Sequence, residues 1–259
     1  MQLGYIEING KRLECARFMP KRGASSKVTI LLLHEGLGCV SMWRDFPERL
    51  AEATGLEVFA YSRAGYGASD PCEVPRPLDY MEEAGLNEVP EVIKRAGIGE
   101  HILLGHSDGG TISLVYAGGT EAGGLLGVVT FAAHLFAEEE GLSSIRQARG
   151  NYLFGDLKEG LRKYHGENVD CAFWGWNLAW LHPDFKEWNV ERFLQGVTVP
   201  LLAVQGYNDE YGTLAQIEAI INGAPVEVET LLLPECGHSP HKEKQEETLA
   251  AIQKFILGL

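Results

Sequence analysis

The chain has 259 residues, of which 45% are hydrophobic and 22% charged, and its formal net charge is −14. This length suits one large α/β domain rather than two independent cores. The negative charge argues against a nucleic acid or an anionic membrane as partner, because their phosphate groups would repel the protein. The five cysteines are odd in number and lack C-x-x-C spacing, which indicates reduced thiols rather than a disulfide framework or a zinc site.

The first residues contain neither the basic region nor the apolar stretch of a secretory signal, and no window is apolar over a membrane-spanning length. We therefore expect a soluble cytoplasmic protein. Its expected partner is a small-molecule substrate, with no nucleic acid and no membrane involved, and its expected state is a monomer or a homodimer.

Strand and helix patterns alternate along most of the chain. Two apolar runs, at 3–8 and 13–18, flank Asn9-Gly10, which is a strong signal for a hairpin turn. Further apolar runs of strand length fall at 28–33, 56–61, 101–104, 126–131, 201–204 and 226–233. Helical patterns lie between them, at 43–53, 78–96, 110–117, 214–221 and 246–257. This order predicts an α/β fold with a doubly wound, mostly parallel sheet and an antiparallel N-terminal edge.

Residues 134–195 interrupt this alternation, because they contain no good strand pattern and hold four of the five tryptophans. We predict that they form a small helical lid, inserted into a core made of residues 1–133 and 196–259. The aromatic side chains would either fill the core of this insertion or face a ligand. Trp174 and Trp176 are the candidates for pocket-lining rings.

The segment Gly105-His106-Ser107-Asp108-Gly109 follows an apolar strand and precedes a helix of small residues. In that context the pattern G-x-S-x-G predicts a nucleophile elbow, in which a strained turn exposes the serine hydroxyl. The two glycines fit this interpretation, since neighbouring backbones would pass too close for a Cβ atom. Ser107 is therefore the candidate nucleophile.

A serine hydroxyl needs a base to take its proton and an acid to orient that base. Asp209 is the candidate acid, because it follows a buried strand and a glycine turn at the carboxyl edge of the sheet. Three alternatives stay open: Asp209 could cap the helix near Thr213, and the acid could be Glu210 or one of residues 138–140.

His238 is the candidate base, on a loop between the last apolar strand and the last helix. The order nucleophile, acid, base matches that of Ser107, Asp209 and His238. His241 is a rival base, and the two histidines could also suggest a metal pair. Pro240 lies between them and disfavours the helical or strand geometry of such a site, so we expect no metal.

An oxyanion hole needs two backbone N–H groups aimed at one oxygen. Asp108, directly after the nucleophile, would supply one of them. The other would come from the loop His34-Glu35-Gly36-Leu37-Gly38, where we favour Gly36 over Leu37. Glu35 and Leu37 are further candidates for lining the substrate pocket.

Together these motifs resemble the α/β-hydrolase superfamily over nearly the whole chain, and within it the compact, lid-bearing serine hydrolases such as esterases and valacyclovir-hydrolase-like enzymes. The resemblance is carried by H-E-G-L-G at 34–38, S-R-A-G-Y-G-A-S-D at 62–70, G-H-S-D-G-G at 105–110, G-Y-N-D at 206–209 and G-H at 237–238. One departure is Glu35, where members of the family often have glycine, and it places a carboxylate near the mouth of the site.

The resemblance implies a carboxylesterase-like hydrolase that needs no cofactor and cleaves a small ester, lactone or thioester through an acyl-enzyme on Ser107. A serine at this position argues against haloalkane dehalogenases and epoxide hydrolases, which resemble this family but carry aspartate there. Two alternatives remain: a carbon–carbon bond hydrolase of a vinylogous diketone, and a non-catalytic relative that binds a small ligand. Carbon–carbon hydrolases of this family usually carry a residue other than aspartate beside the nucleophile, where this chain has Asp108.

Overall fold

The structure is a computed structural model that describes residues 1–259, and it contains one eight-stranded sheet. The strands are β1 (Gln2–Ile8), β2 (Lys11–Phe18), β3 (Thr29–Leu33), β4 (Glu57–Tyr61), β5 (His101–His106), β6 (Leu125–Phe131), β7 (Leu201–Gly206) and β8 (Val228–Leu233). Their order across the sheet is β1-β2-β4-β3-β5-β6-β7-β8. β2 pairs antiparallel with β1 and with β4, and the other pairs are parallel. The predicted sheet is confirmed.

Ten α-helices pack around this sheet. They are α1 (Phe46–Thr54), α2 (Tyr80–Glu83), α3 (Val89–Ala96), α4 (Asp108–Gly119), α5 (Glu139–Phe154), α6 (Leu157–His165), α7 (Val169–Trp180), α8 (Ala215–Gly223), α9 (Pro240–Glu243) and α10 (Gln245–Leu257). None of these helices combines the length and the apolar character that crossing a membrane requires.

The predicted hairpin turn is present between β1 and β2. Asn9 and Gly10 both have positive φ, at 51° and 74°. Positive φ at both central residues is the requirement of a type I′ turn, whose twist matches that of the flanking strands.

The central strands β3 and β5 are buried along their whole length, as their continuous apolar runs predicted. Alternate side chains of β3 enter different apolar layers, with Leu31 on one face of the sheet and Ile30 on the other. Both faces are therefore covered, and the open region for a ligand is the edge where the parallel strands end.

The predicted helix at 78–96 differs from the structure, in which a π-helical turn (Ala84–Glu88) separates α2 from α3. Pro90 lacks the N–H that would donate to the carbonyl four residues earlier, so regular α-helical bonding cannot continue through this segment. Gly85 also packs closely there, because a Cβ atom on it would lie 2.7 Å from Val115.

Residues 134–195 contain α5, α6 and α7, the short 3₁₀ segments Gly166–Asn168 and Pro183–Glu187, and all but the last residue of a third, Glu191–Gly196. The only β pairing in this range is an isolated bridge between Phe136 and Asn189. We call these residues the helical insertion. That they act as a lid stays a prediction.

Candidate active site

Ser107 occupies the turn between β5 and α4 with φ 53° and ψ −117°. This conformation is strained for any residue that has a side chain, so holding Ser107 in it costs free energy. Its N–H donates to the carbonyl of Phe131 at 2.7 Å, which holds the turn in place. A Cβ atom on Gly105 would lie 2.0 Å from the carbonyl oxygen of Gly109, and one on Gly109 would lie 1.9 Å from that of Leu33. The close packing expected around this serine is present.

His238 and Asp209 meet at the same edge of the sheet, with His238 Nδ1 2.8 Å from Asp209 Oδ1. The Asp209 side chain is 1% exposed and accepts two further hydrogen bonds, from the Gln205 amide at 3.0 Å and the Tyr211 N–H at 2.9 Å. Since a carboxylate oxygen only accepts, the proton lies on Nδ1 and the Nε2 lone pair of His238 is free.

Burial and mutual attraction act in opposite directions on this pair. Burial raises the pKa of Asp209, but the hydrogen bond and charge of His238, together with the hydrogen bond from the Tyr211 N–H, outweigh burial, and the pKa lies below its usual value. Burial lowers the pKa of His238, but the hydrogen bond and charge of Asp209 outweigh it and the pKa is raised. The pair therefore favours the carboxylate and makes His238 a stronger base than a free imidazole.

The alternative acids form no hydrogen bond with His238, whose carboxylate partner is Asp209. The carboxylate of Glu138 accepts from the Thr213 N–H at 3.0 Å, from the Thr213 hydroxyl at 2.6 Å and from Gln216 at 2.7 Å. Glu138 rather than Asp209 therefore binds the start of the segment leading into α8. Glu210 is exposed, and its carboxylate makes no hydrogen bond.

His241, the rival base, is buried away from the cavity in an aromatic cluster. Its ring stacks on Phe131 at 5.8 Å and packs edge-on against Phe46 at 5.4 Å, and neither ring nitrogen has a hydrogen-bond partner. No group of three or more His, Cys, Asp or Glu side chains in the chain could hold a metal ion.

A cavity of about 100 Å³ lies between the carboxyl ends of the central strands and the helical insertion. The polar residues that line it are Glu35, Ser107, Asp108, His134 and His238, and the wall is completed by Gly36, Leu37, Ile145, Trp176, Trp180 and Tyr211. Ser107 and His238 share this cavity, and no hydrogen bond joins their side chains. Asp209 lies behind His238, outside the lining.

His134 is a lining residue that sequence reasoning missed. Its ring lies 5.8 Å from that of His238 and 5.2 Å from that of Trp180. Burial lowers its pKa to about 3, with the charge of His238 acting in the same direction. Its position three residues after β6, at the edge where ligands bind in this kind of sheet, was the available signal.

Arg63 fixes the shape of the 34–38 loop. The Arg63 guanidinium donates to the carbonyl oxygens of His34 at 2.7 Å and Glu35 at 3.1 Å. The main-chain N–H of Arg63 donates to His34 Nε2 at 3.1 Å. With these carbonyls held, the N–H groups of Gly36 and Leu37 have no acceptor in the protein. Gly36 and Leu37 both line the cavity.

His165, from the end of α6, connects the insertion to the same loop. The Gly67 N–H donates to its Nδ1 at 3.0 Å, so Nε2 carries the proton and donates to the Leu37 carbonyl at 2.9 Å. Asn168 adds a bond to the Ser69 carbonyl at 2.6 Å.

Asp108 is fully buried, and its carboxylate is only partly satisfied. Oδ2 accepts from the Tyr80 hydroxyl, which accepts in turn from the Trp180 indole at 2.9 Å, and Arg63 lies 3.9 Å away. Oδ1 has no partner. Burial raises the pKa of Asp108, while the charge of Arg63 and the Tyr80 bond oppose the increase.

Glu35 places a second carboxylate in the wall. Its side chain folds across Gly38, and its oxygens lie 3.6 Å from Lys242 Nζ and 3.5 Å from His106 Nδ1. Burial raises the pKa of Glu35, but the charges of Lys242 and His106 outweigh it and hold the pKa well below its usual range. His106 donates through Nε2 to the carbonyl of His238 at 2.7 Å.

The two tryptophans proposed as pocket rings differ in position. Trp176 lines the cavity and covers Gly36, where a Cβ atom would lie 2.4 Å from the indole. Trp174 does not line it, and the expectation for this residue is corrected. Its ring packs edge-on against Tyr152 at 5.5 Å and Phe173 at 5.0 Å, because residues two apart on a helix point in different directions.

An eight-stranded sheet in this order, with a serine in a strained turn after β5 and a hydrogen-bonded Asp–His pair at the same edge, defines the α/β-hydrolase class. The alpha/beta hydrolase family model matches residues 30–252. The chain belongs to this family.

Similarity to individual proteins is more distant. Over 93 residues, 36% of this chain, the sequence is 29% identical to a proline iminopeptidase of Lactobacillus delbrueckii subsp. lactis, and the match spans only 32% of that relative. A proline iminopeptidase structure from Mycobacterium smegmatis superimposes with a TM-score of 0.76 at 19% identity, covering 99% of this chain and 98% of that one. The Exiguobacterium antarcticum esterase gives 0.76 at 18%, covering 97% and 98%. At these identities the structures show a shared fold.

Proposed function

We propose that the protein is a serine hydrolase that cleaves a small ester, lactone or thioester through an acyl-enzyme on Ser107. The observation that carries the proposal is the 2.8 Å hydrogen bond between Asp209 and His238 beside a serine held at positive φ. That combination supplies a nucleophile, a base and an orienting acid, and Ser107 and His238 reach one cavity.

In the proposed reaction His238 Nε2 takes the proton of the Ser107 hydroxyl as the oxygen attacks the ester carbonyl. Asp209 holds the imidazole in the required tautomer and stabilises the imidazolium. His238 then protonates the leaving alcohol, and a water molecule releases the acid by the same steps in reverse. The Ser107–His238 hydrogen bond would form when substrate is bound, since such bonds are often long in free enzymes.

The N–H groups of Gly36 and Asp108 are the proposed oxyanion donors. Support comes from Arg63, which holds the carbonyls before Gly36 and leaves its N–H without a protein acceptor. Donors fixed before the reaction stabilise developing charge without the cost of reorganising them.

The size of the cavity, about 100 Å³, supports a short acyl group rather than a long chain. The proposed role of the helical insertion is that of a lid, since it supplies Ile145, Trp176 and Trp180 to the wall.

One observation favours a narrower second candidate, an ester or amide whose acyl part carries an amino group. Asp108 lines the cavity directly after the proposed nucleophile, its buried Oδ1 has no hydrogen-bond partner, and Glu35 adds a second carboxylate. A cation there would satisfy an otherwise unpaired buried acceptor. The relatives named proline iminopeptidases are compatible with such substrates.

Three measurements test the proposal. A fluorophosphonate should label residue 107 once, and Ser107→Ala should abolish labelling while the protein stays folded. Labelling elsewhere, or none on folded protein, would favour a ligand-binding relative.

The p-nitrophenyl esters of butyrate and 2-aminobutyrate, which differ by one amino group, separate the two candidates. A preference for the amino ester supports the second candidate if Asp108→Asn removes that preference. Turnover of a vinylogous diketone alone would identify a carbon–carbon hydrolase.

A further inference from the structure

Two cysteines lie side by side where the helical insertion meets the sheet core. Cys72 lies in the loop that follows β4, and Cys171 is in the first turn of α7. Their sulfurs are 3.1 Å apart, and either could donate to the other. The Cys72 N–H donates to Cys171 Sγ at 3.4 Å, and the Cys171 thiol donates to the Cys72 carbonyl at 3.3 Å. Both side chains are partly exposed, whereas Cys15, Cys39 and Cys236 are buried.

One guanidinium and the N-terminal end of a helix lie beside this pair. A Cβ atom on Gly65 would lie 2.6 Å from Cys72 Sγ, 2.8 Å from Cys171 Sγ and 3.0 Å from Arg76 Nη2, so the guanidinium is a near neighbour of both sulfurs. Cys171 also sits at the N-terminal end of α7, where the helix dipole favours a negative charge.

The surroundings of the two thiols shift their pKa values in opposite directions. The hydrogen bond from the Cys72 thiol lowers the pKa of Cys171, and the Cys72 N–H and Arg76 act in the same direction against burial. The same hydrogen bond, together with burial, raises the pKa of Cys72. In the other three cysteines burial raises the pKa of the thiol.

We propose that Cys171 is a peroxide-reactive thiolate and Cys72 its resolving thiol, so that hydrogen peroxide joins them in a reversible disulfide between the insertion and the core. The sulfurs need to approach by about 1 Å to reach the bond length of a disulfide.

The chemistry takes two steps. Cys171 thiolate attacks one peroxide oxygen, an S–O bond forms, the O–O bond breaks and hydroxide leaves, which gives a sulfenic acid. Cys72 sulfur then attacks Cys171 sulfur, the S–S bond forms, the S–O bond breaks, and the hydroxyl leaves as water with the Cys72 proton. Two thiols lose two electrons in total, and one peroxide becomes two waters.

The disulfide would add a covalent link to an existing attachment. Asn168 and His165, just before α7, already bond to the core loops. The link would close a long loop of chain, so the oxidised protein should melt at a higher temperature, by about 5 °C or more.

The experiment treats the reduced full-length protein with hydrogen peroxide and maps its cysteines by mass spectrometry. The expected result is a 72–171 disulfide that dithiothreitol reverses, while the three buried cysteines stay reduced as internal controls. In Cys72→Ser, dimedone should trap a sulfenic acid on Cys171. In Cys171→Ser, dimedone should not label Cys72.

Preferential oxidation of a buried cysteine, a Cys171 that stays unmodified, or sulfinic acid on Cys171 without a disulfide would overturn the proposal. The wild-type map is decisive by itself if either variant fails to fold.

Discussion

His106 donates through Nε2 to the main-chain carbonyl of His238 at 2.7 Å. The residue before the proposed nucleophile thus positions the loop that carries the proposed base. His106→Leu should lower kcat roughly ten- to hundredfold with little change in KM, since small displacements of reacting groups have effects of this size.

His101→Leu is the matched control, because His101 is also buried on β5 but bonds to Gly99 and Tyr116, away from the cavity. It should lower stability and leave kcat unchanged. Equal kcat values for both variants would remove the positioning role of His106.

Asp209→Asn should lower kcat by about 10⁴-fold, because an amide in place of the carboxylate favours the wrong imidazole tautomer. Glu210→Gln, one residue away and exposed, should change kcat less than twofold. Steady-state kinetics of both variants on the same ester compares the two losses of kcat. A reversal of the two effects would move the acid to Glu210.

The pH dependence of activity follows from the Asp209–His238 pair. Neutral His238 is the active form, so kcat/KM should rise with pH through a pKa above the usual value of about 6.5.

The raised pKa of His238 also affects stability. This histidine stabilises the fold below its unfolded pKa, and this contribution is lost as pH rises through the folded value. Asp209 has the opposite dependence. Because its pKa is lowered in the folded protein, Asp209 stabilises the fold above its unfolded pKa, and this contribution is lost as pH falls through the folded pKa. If the acidic limb of the kcat/KM profile gave a pKa below that of free histidine, it would contradict the assignment of His238 as the base paired with Asp209.

Acid should weaken the fold through His241. Burial lowers its pKa well below the usual value, so the unfolded chain binds a proton first, and stability falls as pH decreases below about 6.5. His241→Phe should raise Tm and flatten this dependence, since the ring already packs on Phe131 and its nitrogens are unpaired. His182→Phe, at an exposed position, is the control. A lower Tm for His241→Phe at pH 5 would count against this account.

Two glycine substitutions should act in opposite directions on urea stability. Gly109→Ala should cost about 3 kcal/mol or more of unfolding free energy, because its Cβ would overlap the Leu33 backbone, which cannot move aside. Gly150→Ala, in α5 with open space around it, should stabilise by about 0.5–1 kcal/mol. A stable Gly109→Ala variant would show that the elbow tolerates a looser packing.

Trp174→Ala and Trp176→Ala should separate packing from substrate contact. Trp176 covers Gly36 inside the cavity, so its removal should change KM and the preference for acyl length. Trp174 packs on Tyr152 and Phe173, so its removal should lower Tm and leave specificity unchanged. Identical specificity in both variants would place the binding site elsewhere.

Local sequence patterns predicted much of this molecule. The hairpin turn depends on the two residues Asn9 and Gly10, and the elbow on a strand, a serine between glycines and a helix. The hairpin turn is determined within a few residues, and the strand, turn and helix of the elbow are also local, although the distant backbones of Leu33 and Phe131 complete its packing. The approach of Asp209 to His238 also followed from local features, because both come directly after strands that end at one edge of the sheet.

Other features depend on contacts between distant parts of the chain, which one sequence does not reveal. Arg63 belongs to a motif noticed for its family resemblance, yet its bonds to the 34–38 loop need the folded arrangement. The difference between Trp174 and Trp176 required knowing that they lie on one helix and which side faces the sheet. His134 gave no pattern at all beyond its place after a strand.

His165 makes the docking of α6 and the conformation of the 34–38 loop one cooperative unit, because a single imidazole bonds to Leu37 on one side and Gly67 on the other. A local opening of this end of the insertion would remove a hydrogen bond from the loop at the same moment. The free energy of that opening and the order of the loop are therefore thermodynamically linked: a ligand that requires the ordered loop also strengthens the attachment of α6, and amide exchange in α6 would slow when such a ligand binds.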